Sequence, residues 1–419
     1  MLGDGGTADE KQPLLPSEKK SLSQRVIEDG QWLQDKLLPK QEIRDAMTYQ
    51  ASKLSSWNSL LVTSHTVWCQ RSLWMMAVKL FCFSTVVALL VLLLVPDPAD
   101  LKVSRFADIV EFLRIFVGLL LGFFMSASVQ RWWSCAEGFM QLFDAVRCLQ
   151  IQFISLGVPE ERSVHCLRYG VLSGWILSMQ LEVEALPEDK RELAHEKIWE
   201  NLQLGLRPSG QSSDERFGTI STEELEVLRK TSDPSSCLWM WVGSLIGCLS
   251  MDGLIPPMAS PIYGRIMQLA EQAHDAIRNV RSNISIQAPF IYVQMLASMV
   301  HINNLVNAVS FGLTAGASVG TILSYIRLHP QEASASGRQA SADAQSLLSS
   351  FFFSCFGPFV YQAMLEVAIA IAQPFSHEHA ILPTTHMLSC LEQDLSDGFE
   401  VAKKAPWHMP SYEEFAKKQ

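Results

Sequence analysis

The sequence predicts an all-α integral membrane protein, with about four transmembrane helices per subunit and a helical cytosolic domain. Three observations carry that expectation. Charged residues make up 18% of the chain while hydrophobic residues make up 48%, and an average soluble domain is roughly 25% charged. The missing charge is concentrated in four long stretches, each about long enough to cross some 30 Å of hydrocarbon at 1.5 Å per residue. Strand signals are scarce, and Ala, Leu, Met, Glu and Gln are common.

In chain order, residues 1–60 form a disordered or amphipathic tail. Its opening, Met1 to Pro16, has no apolar segment of a cleavable signal, and Asp4, Asp9 and Glu10 argue against a transit peptide. The expected location is therefore the plasma membrane or an endomembrane rather than a plastid. Glu10-Lys11-Gln12-Pro13-Leu14-Leu15 resembles an acidic dileucine sorting signal, a short pattern that chance also produces in polar tails.

Residues 61–400 hold the body of the protein. The first span is predicted over about 73–96, where Leu80–Pro96 is uncharged after Lys79. The second is placed over about 106–133, with Ile115–Gln130 uncharged between Arg114 and Arg131. The third lies over about 284–326, since Ser282–Ile326 contains no Asp, Glu, Lys or Arg. The fourth lies over about 344–375, where Ala344–Leu365 is uncharged and Val367–Phe375 extends it. Pro234–Met251 is also uncharged, but it is short and ends at Asp252-Gly253, so it reads as a buried or interfacial helix.

Between the second and third spans, about 134–281 is mixed in polarity and reads as the cytosolic helical part. Ser221-Thr222-Glu223-Glu224-Leu225 has the form of a helix start, with acid in its first turn. Residues 401–419 form a C-terminal tail. Arg71, Lys53, Arg131, Arg278 and Arg281 near the span ends put both termini and the large domain in the cytosol.

Composition also excludes functions. Lys plus Arg is 33 and Asp plus Glu is 43, a net charge of −10, which argues against nucleic acid as a partner. Nine cysteines without a C-x-x-C pair give no zinc or redox signal. No metal and no cofactor are expected, and no enzymatic constellation survives inspection. Gly316-Ala317-Ser318-Val319-Gly320 matches a nucleophile-elbow pattern, but no strand precedes it; Gly312, Gly316 and Gly320 read better as a small-residue packing face. His377-Glu378-His379 with His386 lacks metal-ligand spacing and reads as surface histidines. His301, Asn303, Asn304 and Asn307 fall in mid-span, where polar groups face a bundle interior or water.

The second span is the most informative. Ile115, Leu119 and Phe123 recur at i, i+4 and i+8, forming one apolar stripe on a helix. Gly118 and Gly122 repeat on the next face and would let helix backbones approach closely. Pattern alone favours a lipid-facing stripe beside an ordinary packing seam. A hydrophobic lining around an axis is the alternative.

Ile115-Phe116-Val117-Gly118-Leu119-Leu120-Leu121-Gly122-Phe123, continued by Gln130-Arg131-Trp132-Trp133, resembles the pore-neck helix of the bestrophin family of anion channels. Three further segments are similar to family segments in the same order. They are Ile284-Ser285-Ile286-Gln287-Ala288-Pro289, Glu366-Val367-Ala368 with Gln373-Pro374-Phe375, and Leu391-Glu392-Gln393-Asp394-Leu395.

The resemblance implies a homopentameric, passive channel for chloride or bicarbonate in a lipid membrane. It implies a neck at Ile115, Leu119 and Phe123 and a second constriction near Met258. Leu119 stands where the family usually has aromatic bulk. The family's calcium clasp has an acidic cluster after Pro-Phe, whereas here Glu378 alone keeps a carboxylate, so switching by micromolar Ca²⁺ through this segment is not expected. The rival reading is a membrane scaffold or assembly protein of the same fold without conduction.

Overall fold

The computed structural model describes residues 70–95, 104–203, 217, 220–255, 260–328, 337–376 and 381–404. Met258, the expected second constriction, lies outside the described residues, as do His377, Glu378 and His379. The described elements are helices: α1 (Arg71–Leu94), α2 (Ser104–Ser155), α3 (Glu160–Glu184), α4 (Glu188–Gln203), α5 (Thr222–Arg229), α6 (Pro234–Met251), α7 (Ser260–Ser285), α8 (Phe290–Leu328), α9 (Gly337–Ala372) and α10 (Thr384–Lys403).

Two layers follow from two kinds of patterning. In the first, α1, the N-terminal part of α2, α8 and α9 pack together. Among the described residues, Arg71–Leu94, Asp108–Ser155 and Phe290–Leu323 are long and apolar enough to cross a membrane, and Phe356–Ala372 is a shorter apolar helix. Large apolar side chains of α1, such as Trp74, Val78, Leu89 and Leu93, are exposed. That suits a hydrocarbon surround, where burying Leu against Leu gains nothing over lipid and close contact depends on small residues.

Gly312 and Gly316 of α8 supply such a contact. A Cβ on Gly312 would lie 2.6 Å from the Ser84 carbonyl oxygen, and one on Gly316 would lie 2.8 Å from Val91 Cβ of α1. Gly312 and Gly316 of the small-residue face expected there thus lie in the α1–α8 interface, and Ser318 is a buried residue inside the same helix. α9 is fixed to α1 by Leu73, Phe359 and Ala363. The Trp74 and Phe359 rings lie 5.5 Å apart, and Ser72 donates to Glu366 at 2.9 Å.

The second layer is a helical core of water-soluble character. It joins the C-terminal half of α2 to α3, α4, α5, α6, α7 and α10 through residues such as Phe139, Phe153, Trp175, Leu228, Trp239, Ile277 and Leu391. α3 is its centre and is buried nearly all round from Cys166 to Leu181, as a helix apolar on every side must be. Ser173, Trp175 and Ser178 on its buried faces are hydrogen-bonded to neighbouring helices. Ser173 accepts from Trp239 Nε1 at 2.9 Å, Trp175 Nε1 donates to Glu392 at 2.8 Å, and Ser178 and Thr384 share a 2.6 Å hydrogen bond.

α6 is a helix of this core, not a span. Asp233 caps it and Pro234 occupies its first turn, while Leu238, Trp239, Val242, Ile246 and Leu249 are buried. α5 starts as its sequence indicates, with Ser221 and Glu224 forming a reciprocal capping box. The Leu391–Leu395 segment lies on α10. There Glu392 reaches α3, and Asp394 accepts from Arg147 of α2 at 2.7 Å.

Candidate functional site

The candidate site is one face of α2. Its opposite face, Val117, Leu121 and Phe124, is buried against Leu296 and Val300 of α8 and Leu365 and Ala368 of α9. Two tyrosines pin this packing. Tyr292 donates to the Leu120 carbonyl and Tyr361 to the Arg114 carbonyl, both at 3.3 Å. The rotation of α2 about its axis is therefore set by its own subunit.

That rotation leaves Ile115, Leu119 and Phe123 on the uncovered face, with 70%, 57% and 63% of their surfaces exposed. The structure thus brings the three into one line that contacts little of its own subunit. The same face carries Glu111 one turn before Ile115, and Ser126, Gln130 and Trp133 after Phe123, all exposed.

The two glycines differ. Gly118 lies beside the Tyr361 ring, with a Cβ position 3.9 Å from Cε1, an ordinary contact; Gly122 meets nothing within 4 Å. Among the described residues of the membrane layer, the tight glycine contacts are those of Gly312 and Gly316 on α8 rather than of this pair.

The Arg-Trp-Trp end of the stripe has a local explanation. Arg131 Nη2 donates to the Ile284 carbonyl at 2.6 Å, at the C-terminal end of α7 where carbonyls lack helical partners and the dipole favours a cation. Trp132 and Trp133 meet edge to face at 5.3 Å. Pro374 and Phe375 follow the end of α9, and the Phe375 ring lies 6.1 Å from Phe139 in the helical core. These motifs join the membrane layer to that core.

A polar cluster behind the stripe was only half visible in the sequence. Asn303, Asn304 and Asn307 are buried, as their mid-span position suggests, whereas His301 is exposed. The partner of Asn307 is Arg114, in the sequence only the charge bounding an uncharged run; its Nη2 donates to Asn307 Oδ1 at 3.0 Å. A lone arginine one residue before the stripe was the available signal.

The scan against known families matches the model described as Bacterial/Fungal Bestrophin protein over residues 50–306, about three fifths of the chain. No curated protein matches the sequence. Among solved structures, a bacterial bestrophin homologue from Klebsiella pneumoniae is 18% identical, with a TM-score of 0.53, covering 77% of this chain and 96% of its own. A second similar structure, of a membrane protein carrying a single proline-to-alanine substitution, is 16% identical with a TM-score of 0.52 and covers 77% and 98%. An aspartate-to-alanine variant of the Klebsiella pneumoniae homologue is 17% identical, with a TM-score of 0.51, covering 76% and 97%.

Proposed function

The chain belongs to the bestrophin family, and from that premise we propose that it is a passive anion channel, with chloride or bicarbonate as permeant. In this reading several copies, five by family analogy, surround an axis, and α2 of each lines the path. Ile115, Leu119 and Phe123 form the hydrophobic neck, and Gly122 faces a neighbouring subunit. Met258 marks a second constriction. The oligomer resides in the plasma membrane or an endomembrane, with the helical core in the cytosol.

One observation carries the reading. The packed and pinned face of α2 is opposite the stripe, so three large apolar side chains are held rigidly on a surface its own subunit leaves open. An apolar constriction strips an anion of only part of its hydration, offers no oxygen ligands to a cation, and can gate by dewetting.

The test is anion flux from liposomes holding the purified full chain. The parent is expected to release chloride. Replacing Ile115, Leu119 and Phe123 together by Ala is expected to raise flux or abolish gating while the oligomer persists, because bulk leaves the constriction in every subunit. Unchanged flux and gating in the triple variant would place the stripe against lipid instead.

A further inference from the structure

The neck stripe itself carries no charge that selects anions, and Glu111 works against them. That carboxylate is exposed four residues before Ile115, on the same helical face, so a ring of Glu111 side chains at the mouth would repel anions. A compensating charge is needed close to the neck, and Arg114 is in place to supply it.

Arg114 adjoins Ile115 in sequence but points away from the stripe, toward α8, where Nη2 donates to Asn307 Oδ1 at 3.0 Å. Asn307 is itself oriented, because its Nδ2 donates to the Asn303 carbonyl at 2.8 Å and so turns the amide oxygen toward the guanidinium. Among the described residues no carboxylate forms an ion pair with Arg114. A guanidinium does not lose its proton in a protein, so the charge is permanent, and no carboxylate among the described residues pairs with it.

The layer around it is polar. Asn303 is fully buried with neither side-chain atom hydrogen-bonded, and Asn304 Oδ1 is likewise buried without a partner. Such groups call for water, and water there would solvate the guanidinium without neutralising it. Between this charge and the path stands the apolar wall of α2, a low-dielectric medium in which a field reaches further than in water.

We propose that Arg114, held by Asn307, is the specificity-determining charge of the neck: it makes the apolar path anion-selective against the opposing Glu111 carboxylate. Arg114 acts through its field, not by contact with the ion, and Asn307 is its positioning residue. The assignment rests on the channel reading above and adds which side chain sets its selectivity.

The test measures the chloride-over-sodium permeability ratio from reversal potentials across bilayers holding the full-length oligomer under a salt gradient. Arg114→Gln removes the charge and is expected to lower the ratio on the order of tenfold. Arg114→Lys keeps a cation and is expected to rescue it. Asn307→Asp leaves the arginine in place but sets a carboxylate within ion-pair reach, and is expected to lower the ratio as Arg114→Gln does; a purely structural role of Asn307 would not move it. Asn307→Asp decides the matter alone if Arg114→Gln fails to assemble. A conducting parent whose variants keep its ratio overturns this assignment and leaves the channel reading standing. A parent that carries no anion overturns both.

Discussion

Glu182 shows what a single carboxyl can do in this core. Burial pushes it up to about 7, against an ordinary value of 4.5, and the Ser178 hydroxyl, donating to it at 3.3 Å, only partly opposes the shift. The folded state therefore holds a proton that the unfolded chain releases between those two values. The sign follows: the group's contribution to stability is complete below pH 4.5, is lost as pH rises toward 7, and changes no further above it. The full shift corresponds to about 3 kcal/mol at most, reduced by the side chain's remaining contact with water. The melting temperature of the detergent-solubilised parent is expected to fall between about pH 5 and pH 7.5 relative to Glu182→Gln. Parallel curves for the two proteins would show a carboxyl solvated like any other. None of this was legible in the sequence, because the flanks of an apolar run do not reveal which neighbours will cover its last acid.

At the scale of elements, the α1–α8 contact and the Gly122 surface make opposite predictions. Gly312→Val places side-chain atoms where the Ser84 carbonyl and Val87 already stand, and overpacking of this kind costs about 1–3 kcal/mol. A fall of several degrees in the melting temperature of solubilised protein is expected. Gly122→Ala meets open space in the subunit, so its fold is expected to persist. If Gly122 meets a neighbouring copy, size-exclusion will show a loss of oligomer instead. The small-residue spacing on α8 was readable from sequence, and so was the character of α6, whose apolar run is short and stops at Asp252-Gly253. The length of α2 was not. Charge marks where polarity returns near Arg131, but the backbone hydrogen-bond ladder continues to Ser155, because nothing at a membrane edge requires a helix to stop. The Arg131 contact was hidden for another reason: its carbonyl partner is 153 residues away, beyond any spacing rule.

For the whole molecule, the reading requires several copies. One copy of α2 with an open stripe encloses nothing, and a closed ring of identical contacts is the ordinary way to enclose an axis. The detergent-free mass of the purified protein is expected to be five times the 46.8 kDa of one chain; a stable monomer that still carries anion flux would overturn this. The layered fold was legible because lipid and water impose different compositions on the two layers. The site was legible only as a line of residues. An apolar i, i+4, i+8 repeat looks the same whether it faces lipid, its own bundle or a neighbour, and packing of Leu121 and Phe124 on the far side was needed to show which face of the helix is left over.

The unbroken course of α2 has a mechanical consequence. Fifty-two residues of continuous helix make a rod about 78 Å long, clamped in the helical core through Phe139, Leu142 and Phe153 and carrying Ile115, Leu119 and Phe123 toward its other end. Such a rod transmits torque. A twist applied at the core turns the three side chains together, as a camshaft turns its lobes, with no hinge between to absorb it. One alanine inserted after Ser128 would advance everything on the core side by about 100° relative to the stripe, setting the two ends out of phase while leaving each locally intact.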